Sequence, residues 1–171
     1  LDGNFCTTPY TFTGGQDNLP WTIKDGWLIE NHSPTVTLGT NNTIVSSINA
    51  GTFGYTVWSV PVQVNTNPVL LKTANLQMIG STPAGAIVNI KIFIDGVEKG
   101  NIPALTVVNG SNYASFDFTS NPINLAVGSH TIDVHADIIS GANTNFQFLL
   151  QQSSDIVITD LDGDQRFLKK A

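Results

Sequence analysis

The 171 residues suffice for one β-sandwich with an elaboration but not for two full domains, and only 12% of them are charged, so 17 Asn and 19 Thr build much of the polar surface. The net charge is −6, and three of the seven basic residues, Arg166, Lys169 and Lys170, crowd the C-terminus. No basic stripe is left to neutralise phosphates, which excludes nucleic acid as a partner, and no apolar run approaches the roughly 20 residues that would insert the mature chain in a membrane.

In chain order, residues 1–40 read as a strand-poor N-terminal extension interrupted by Pro9, Gly14, Gly15, Pro20 and Pro34. A start at Leu1-Asp2-Gly3 without Met reads as a processed chain. Within the extension, Tyr10 and Phe12 alternate in the uncharged segment Phe5–Thr13, and Asp25-Gly26 marks a hairpin between Trp21 and Trp27. Cys6 is the sole cysteine, so no internal disulfide forms and an apolar core must hold the fold. Between Glu30 and Asp95 there is no acidic residue, and Lys72 is the only basic one before Lys91, which leaves strand edges without charge protection.

Residues 41–171 alternate with a period of two and predict an all-β sandwich, Ig-like or jelly-roll. Val60, Val62 and Val64 share one face of a strand, and Ala74, Leu76 and Met78 share another. Val88, Ile90, Ile92 and Ile94 predict the most apolar face, followed by a tight turn at Asp95-Gly96 and a short return strand, Val97–Lys99. Ala114, Phe116 and Phe118 come next, then Ile132, Val134, Ala136 and Ile138, then Phe146, Phe148 and Leu150, then Ile156 and Ile158. Each run is bounded by Gly, Asn, Pro or Ser.

Three features mark this stretch: Ser47-Ile48-Asn49-Ala50-Gly51-Thr52, Ile90 to Val97, and Leu125 to Ile138 followed by Ser140-Gly141. From about Asn42 onward their order resembles a β-sandwich module of prokaryotic extracellular surface proteins, in S-layer-like, adhesive or pilus-like chains. The resemblance implies a secreted or cell-surface scaffold with no catalytic residues to carry over.

Few side-chain groupings suggest chemistry. Asp133, His135 and Asp137 lie at i, i+2 and i+4, which places three polar groups on one strand face, either turned to water or clamping a cation. Asp160, Asp162 and Asp164 surround Gly163 in a loop of the kind that wraps calcium, although the EF-hand spacing is absent. No other cofactor is indicated. Asn31, Asn41 and Asn109 open Asn-X-Ser/Thr sequons. No nucleophile elbow occurs, and the chain has two Glu, Glu30 and Glu98, so no enzyme is expected.

The leading expectation is a structural subunit of an extracellular filament or surface layer. It would bind copies of itself through strand edges or by exchange of a strand, with Phe5, Tyr10 and Phe12 in the donor segment. The alternative is a carbohydrate-binding or adhesive module in which Trp21, Trp27, Tyr55 and Trp58 stack on glycans; a virion spike or fibre domain is a further alternative.

Overall fold

The computed structural model describes residues 21–24, 27–30, 34–41, 47–161, 165–166 and 169–170. The chain divides into two compact units, Leu1–Ser33 and Pro34–Ala171. In the first, β1 (Trp21–Lys24) and β2 (Trp27–Glu30) pair antiparallel with Lys24 opposite Trp27, the hairpin that Asp25-Gly26 predicts.

The second unit is a sandwich of two sheets. One contains β3 (Thr35–Leu38), β4 (Thr52–Asn65), β6 (Ile87–Ile94), β7 (Val97–Ala104), β11 (Gly128–Ile138) and β15 (Lys169–Lys170), in the order β15-β3-β4-β11-β6-β7. The other is built on β5 (Val69–Gly80). One side of β5 holds β9 (Ser111–Asp117) and β10 (Ile123–Leu125); the other holds β12 (Phe146–Leu149) and β13 (Ile156–Thr159). β8 (Thr106–Val108) extends this sheet beyond β9, and β14 (Gln165–Arg166) extends it beyond β13. No α-helix occurs among the described residues, and the all-β sandwich expected from the period-2 pattern is the fold.

Alternation locates the core because successive side chains of a strand point to opposite faces. Val60, Val62, Val64, Ile132, Val134, Ala136 and Ile138 from one sheet meet Ala74, Leu76, Met78, Phe116, Phe148, Ile156 and Ile158 from the other, and all are buried. Two tight turns form as the dipeptides require: Asp95-Gly96 and Asn109-Gly110 both have two positive φ values, at 51° and 78° and at 49° and 80°. The return strand after Asp95-Gly96 is longer than Val97–Lys99 and runs to Ala104. Phe118 and Leu150, read as members of buried runs, lie beyond the ends of β9 and β12 and are half-buried. Strand β3 starts at Thr35, so the sandwich takes in residues N-terminal to position 41.

Val88 departs from its expected place on the core face. Between the pairs Lys91↔His135 and Val88↔Asp137, two β6 residues, Asn89 and Ile90, stand against one on β11, Ala136. This bulge, with Asn89 at φ 50°, turns Val88 outward and gives the inner position to the fully buried Ile87. Bulges also interrupt β4: Val57 is extra between Trp58↔Val134 and Thr56↔His135, and Phe53 and Gly54 together face Asp137.

Candidate functional site

The bulges decide the fate of the acidic strand face. Asp133, His135 and Asp137 do lie together on the outer face of β11. Asp137, however, is engaged on both sides: Oδ1 accepts the Gly54 backbone N–H at 2.7 Å, and Oδ2 accepts the Asn89 side-chain amide at 2.8 Å. The Asn89 bond, then the Gly54 bond, holds its carboxyl below the usual carboxylate range. His135 packs its ring against Phe93, with centroids 4.5 Å apart. Asp137 thus joins the bulges of β4 and β6, and among the described residues no three His, Cys, Asp or Glu side chains gather as metal ligands.

The glycan-stacking set is also redistributed. Trp58 and Tyr55 stand in register with Val134 and Ala136, two inward-facing residues. Trp58 is 4% exposed, and Tyr55 packs partly buried against the same core, so neither ring forms an exposed platform; Trp58 shares the inner face of Val60, Val62 and Val64 by alternation, and the bulge at Val57 brings Tyr55 to that face as well. The side chains of Trp21 and Trp27 lie outside the described residues, as do Phe5, Tyr10, Phe12, Cys6 and Asn31. Asp162 and Asp164 lie outside them too, while Asp160 is buried. Of the remaining sequon residues, Asn109 sits in the exposed β8–β9 turn, and the Asn41 side-chain oxygen accepts the Ser59 N–H at 3.2 Å.

Among the described residues, an open cleft of about 380 Å³ lies between the two sheets, with Lys99 of β7 on one wall and the β9–β10 connection on the other. The connection is shaped by its own side chains. Asp117 ends β9, and its Oδ1 accepts both the hydroxyl and, at 2.8 Å, the backbone N–H of Thr119. The hydroxyl bond, then the N–H bond, holds the Asp117 carboxyl below its ordinary value, so the group is ionised at neutral pH. Phe118 N–H donates to the Lys72 carbonyl at 2.7 Å, where β5 is itself bulged, and Asn121 N–H closes a turn onto the Phe118 carbonyl at 2.9 Å. Pro122 follows, and β10 returns to β5 with Ile123 opposite Leu71.

The walls meet at Gly100 and Phe118. A Cβ on Gly100 would lie 3.1 Å from the Phe118 ring, so the bare glycine lets the ring lie close over β7. Phe118 and Ile123 then provide half-buried apolar surface, while Asp117, Asn121, Asn124 and Lys99 provide exposed acceptors and donors around it. Such a mixture of apolar floor and convergent polar groups suits a small polar ligand. Sequence reasoning missed this site because the alternation of Ala114 and Phe116 assigns Phe118 to the core. The available signal was Asp117-Phe118-Thr119, an Asx-turn pattern that stops the strand one residue earlier.

No protein-family model matches the chain, and no curated protein matches it. Among solved structures, it is similar to a family 35 carbohydrate binding module from an environmental isolate, at 15% identity over 74% of this chain and 89% of the other, with a TM-score of 0.34. A likeness of that size assigns the chain to no family.

Proposed function

We propose that this chain is a non-catalytic binding module, acting outside the cell, whose cleft holds a carbohydrate. The observation that carries the reading is the lining of the cleft. A pyranose presents a C–H face bounded by a rim of hydroxyls. The Phe118 ring matches the first, while the amides of Asn121 and Asn124 and the Asp117 carboxylate match the second. Glycoside hydrolysis ordinarily needs two carboxyl groups across the bond, and this lining contains one, with no His or Cys to act as a base. Its chemistry is that of holding a ligand rather than cleaving it.

The test is a glycan array followed by calorimetric titration of the best ligand. Asn124→Ala, an exposed position, is expected to weaken binding about tenfold, which is the size of one or two hydrogen bonds to a sugar hydroxyl, while leaving the melting temperature unchanged. Phe118→Ala is expected to abolish binding and to lower stability modestly, because its ring also packs on Gly100. Full affinity in both variants would remove the cleft from the function.

One observation favours a second reading, self-association through a sheet edge. From Ala104 to Phe116 the chain carries no charge, and in the edge strand β8 Val107 and Val108 are 64% and 47% exposed. Sedimentation at rising concentration separates the two: polymers that Val107→Lys dissolves would support assembly, and a persistent monomer would end it.

A further inference from the structure

His130, near the start of β11, has both ring nitrogens engaged, and its side chain is 14% exposed. Nδ1 lies 2.7 Å from Asp95 Oδ2, and Nε2 lies 2.8 Å from the Ala126 carbonyl oxygen. A carboxylate and a carbonyl are acceptors alone. Neutral imidazole has a single N–H, so in that form one ring nitrogen directs its lone pair at an oxygen. Imidazolium satisfies both contacts. The Asp95 carboxylate is itself fixed, since Oδ1 accepts the Thr131 N–H at 2.8 Å while Asp95 N–H donates to the Thr131 carbonyl at 2.9 Å.

The two anchors of the ring lead directly to the two walls of the cleft. Asp95 opens the β6–β7 turn, and β7 carries Lys99. Ala126 directly follows β10, which carries Ile123 and Asn124. Lys99 and those two β10 residues line the same cleft from different sheets.

We propose that His130 is a proton-operated latch on the cleft: as imidazolium it ties the Lys99 wall to the β10 wall through Asp95 and Ala126, and loss of its proton frees Ala126 and loosens the β10 side. The biological purpose rests on the reading of the cleft as a binding site, whereas the latch itself is a property of the free protein.

The electrostatic surroundings agree in sign. The Asp95 hydrogen bond is the largest influence on His130 and raises its pKa above 6.5; burial opposes it, and the Ala126 bond assists. The His130 bond, then the Thr131 N–H, holds Asp95 below 3.8, with Lys99 adding a smaller pull. Asp95 and, acting on it, Lys99 are the charged groups that bear on the ring, and β4 presents Val62 in register with it. A raised histidine contributes its stabilisation fully below pH 6.5 and loses it as pH rises through the folded-state pKa. A depressed carboxyl contributes above pH 3.8 and loses its share as pH falls through its folded-state value. The latch is therefore closed in mildly acidic solution and opens on the alkaline side.

The experiment uses the full chain without ligand. The His130 ring is titrated by NMR, and amide exchange of residues 123–127 is followed over the same pH range, with each rate divided by its intrinsic value. Protection is expected to fall roughly three- to tenfold as pH rises through the His130 midpoint, the size of one hydrogen bond of ordinary net strength. In Asp95→Asn the midpoint should drop toward 6.5 and the step should shrink; in His130→Gln the step should vanish. Flat protection in the wild type, or a His130 midpoint at or below 6.5, would overturn the latch. A glycan identified on the array that binds with no change across the step would disconnect the latch from the cleft. Failure to find any glycan sinks the function proposed above while leaving the exchange result to stand by itself.

Discussion

Ile92→Asp is expected to leave the sandwich unfolded at room temperature. Ile92 is fully buried in β6, between β7 and β11, with Gly100 and Val134 as its cross-strand neighbours. Its replacement removes a buried aliphatic side chain, a loss of about 2 kcal/mol, and leaves a carboxylate with no partner, which adds several more. A domain of this size is ordinarily stable by roughly 5–15 kcal/mol, so a penalty of about 5 kcal/mol or more consumes much or all of the margin. The adjacent position supplies the control. Lys91 points outward and pairs with Glu98 at 2.9 Å, with the two side chains 33% and 43% exposed. Lys91→Gln is therefore expected to cost at most about 1 kcal/mol. Circular dichroism melts check both, and equal melting temperatures would reverse the assignment of faces along β6.

Gly80→Ala is expected to destabilise the fold by roughly 3 kcal/mol, corresponding to a fall of about 6–12 °C in melting temperature. Two causes act together at this residue. Its φ is 125°, where L side chains are strained, and a Cβ there would lie 2.3 Å from the Asn145 carbonyl oxygen and 2.9 Å from the Phe146 Cα. Relief by movement is obstructed. That carbonyl accepts the N–H groups of Ser81 and Thr82 at 2.9 and 3.0 Å and the Thr82 hydroxyl at 2.9 Å, and the Asn145 side-chain oxygen accepts Ser81 N–H at 3.0 Å. Gly85 lies nearby in sequence and has open space around its would-be Cβ with no positive φ, so Gly85→Ala should change stability by less than about 0.5 kcal/mol. A Gly80→Ala protein that melts with the wild type would show that the clasp between residues 80–82 and 145–146 yields easily.

Several of these expectations follow from patterns legible in the chain alone. The inward run Ile132-Val134-Ala136-Ile138 and the turns at Asp95-Gly96 and Asn109-Gly110 depend on local chemistry: the pleat repeats every two residues, and a two-residue hairpin demands positive φ at both positions. The cleft is less legible. Lys99, Phe118 and Asn124 are separated by strand ends and belong to different sheets, and none carries a local sign of its neighbours. His130 and Asp95 are 35 residues apart and meet only because β11 lies beside β6.

The sequence by itself determined the all-β class, most inward faces and the tight turns, because those follow from alternation and dihedral preference within a few consecutive residues. Tertiary structure alone decided where the alternation slips. The bulges at Asn89, Val57 and Phe53–Gly54 exist in the register between one strand and another, so they turned Val88 outward, drew Tyr55 inward and tied Asp137 to the Gly54 backbone and the Asn89 side chain. The cleft and the His130 contacts arose in the same way, from the packing of two sheets whose relative placement no single segment encodes.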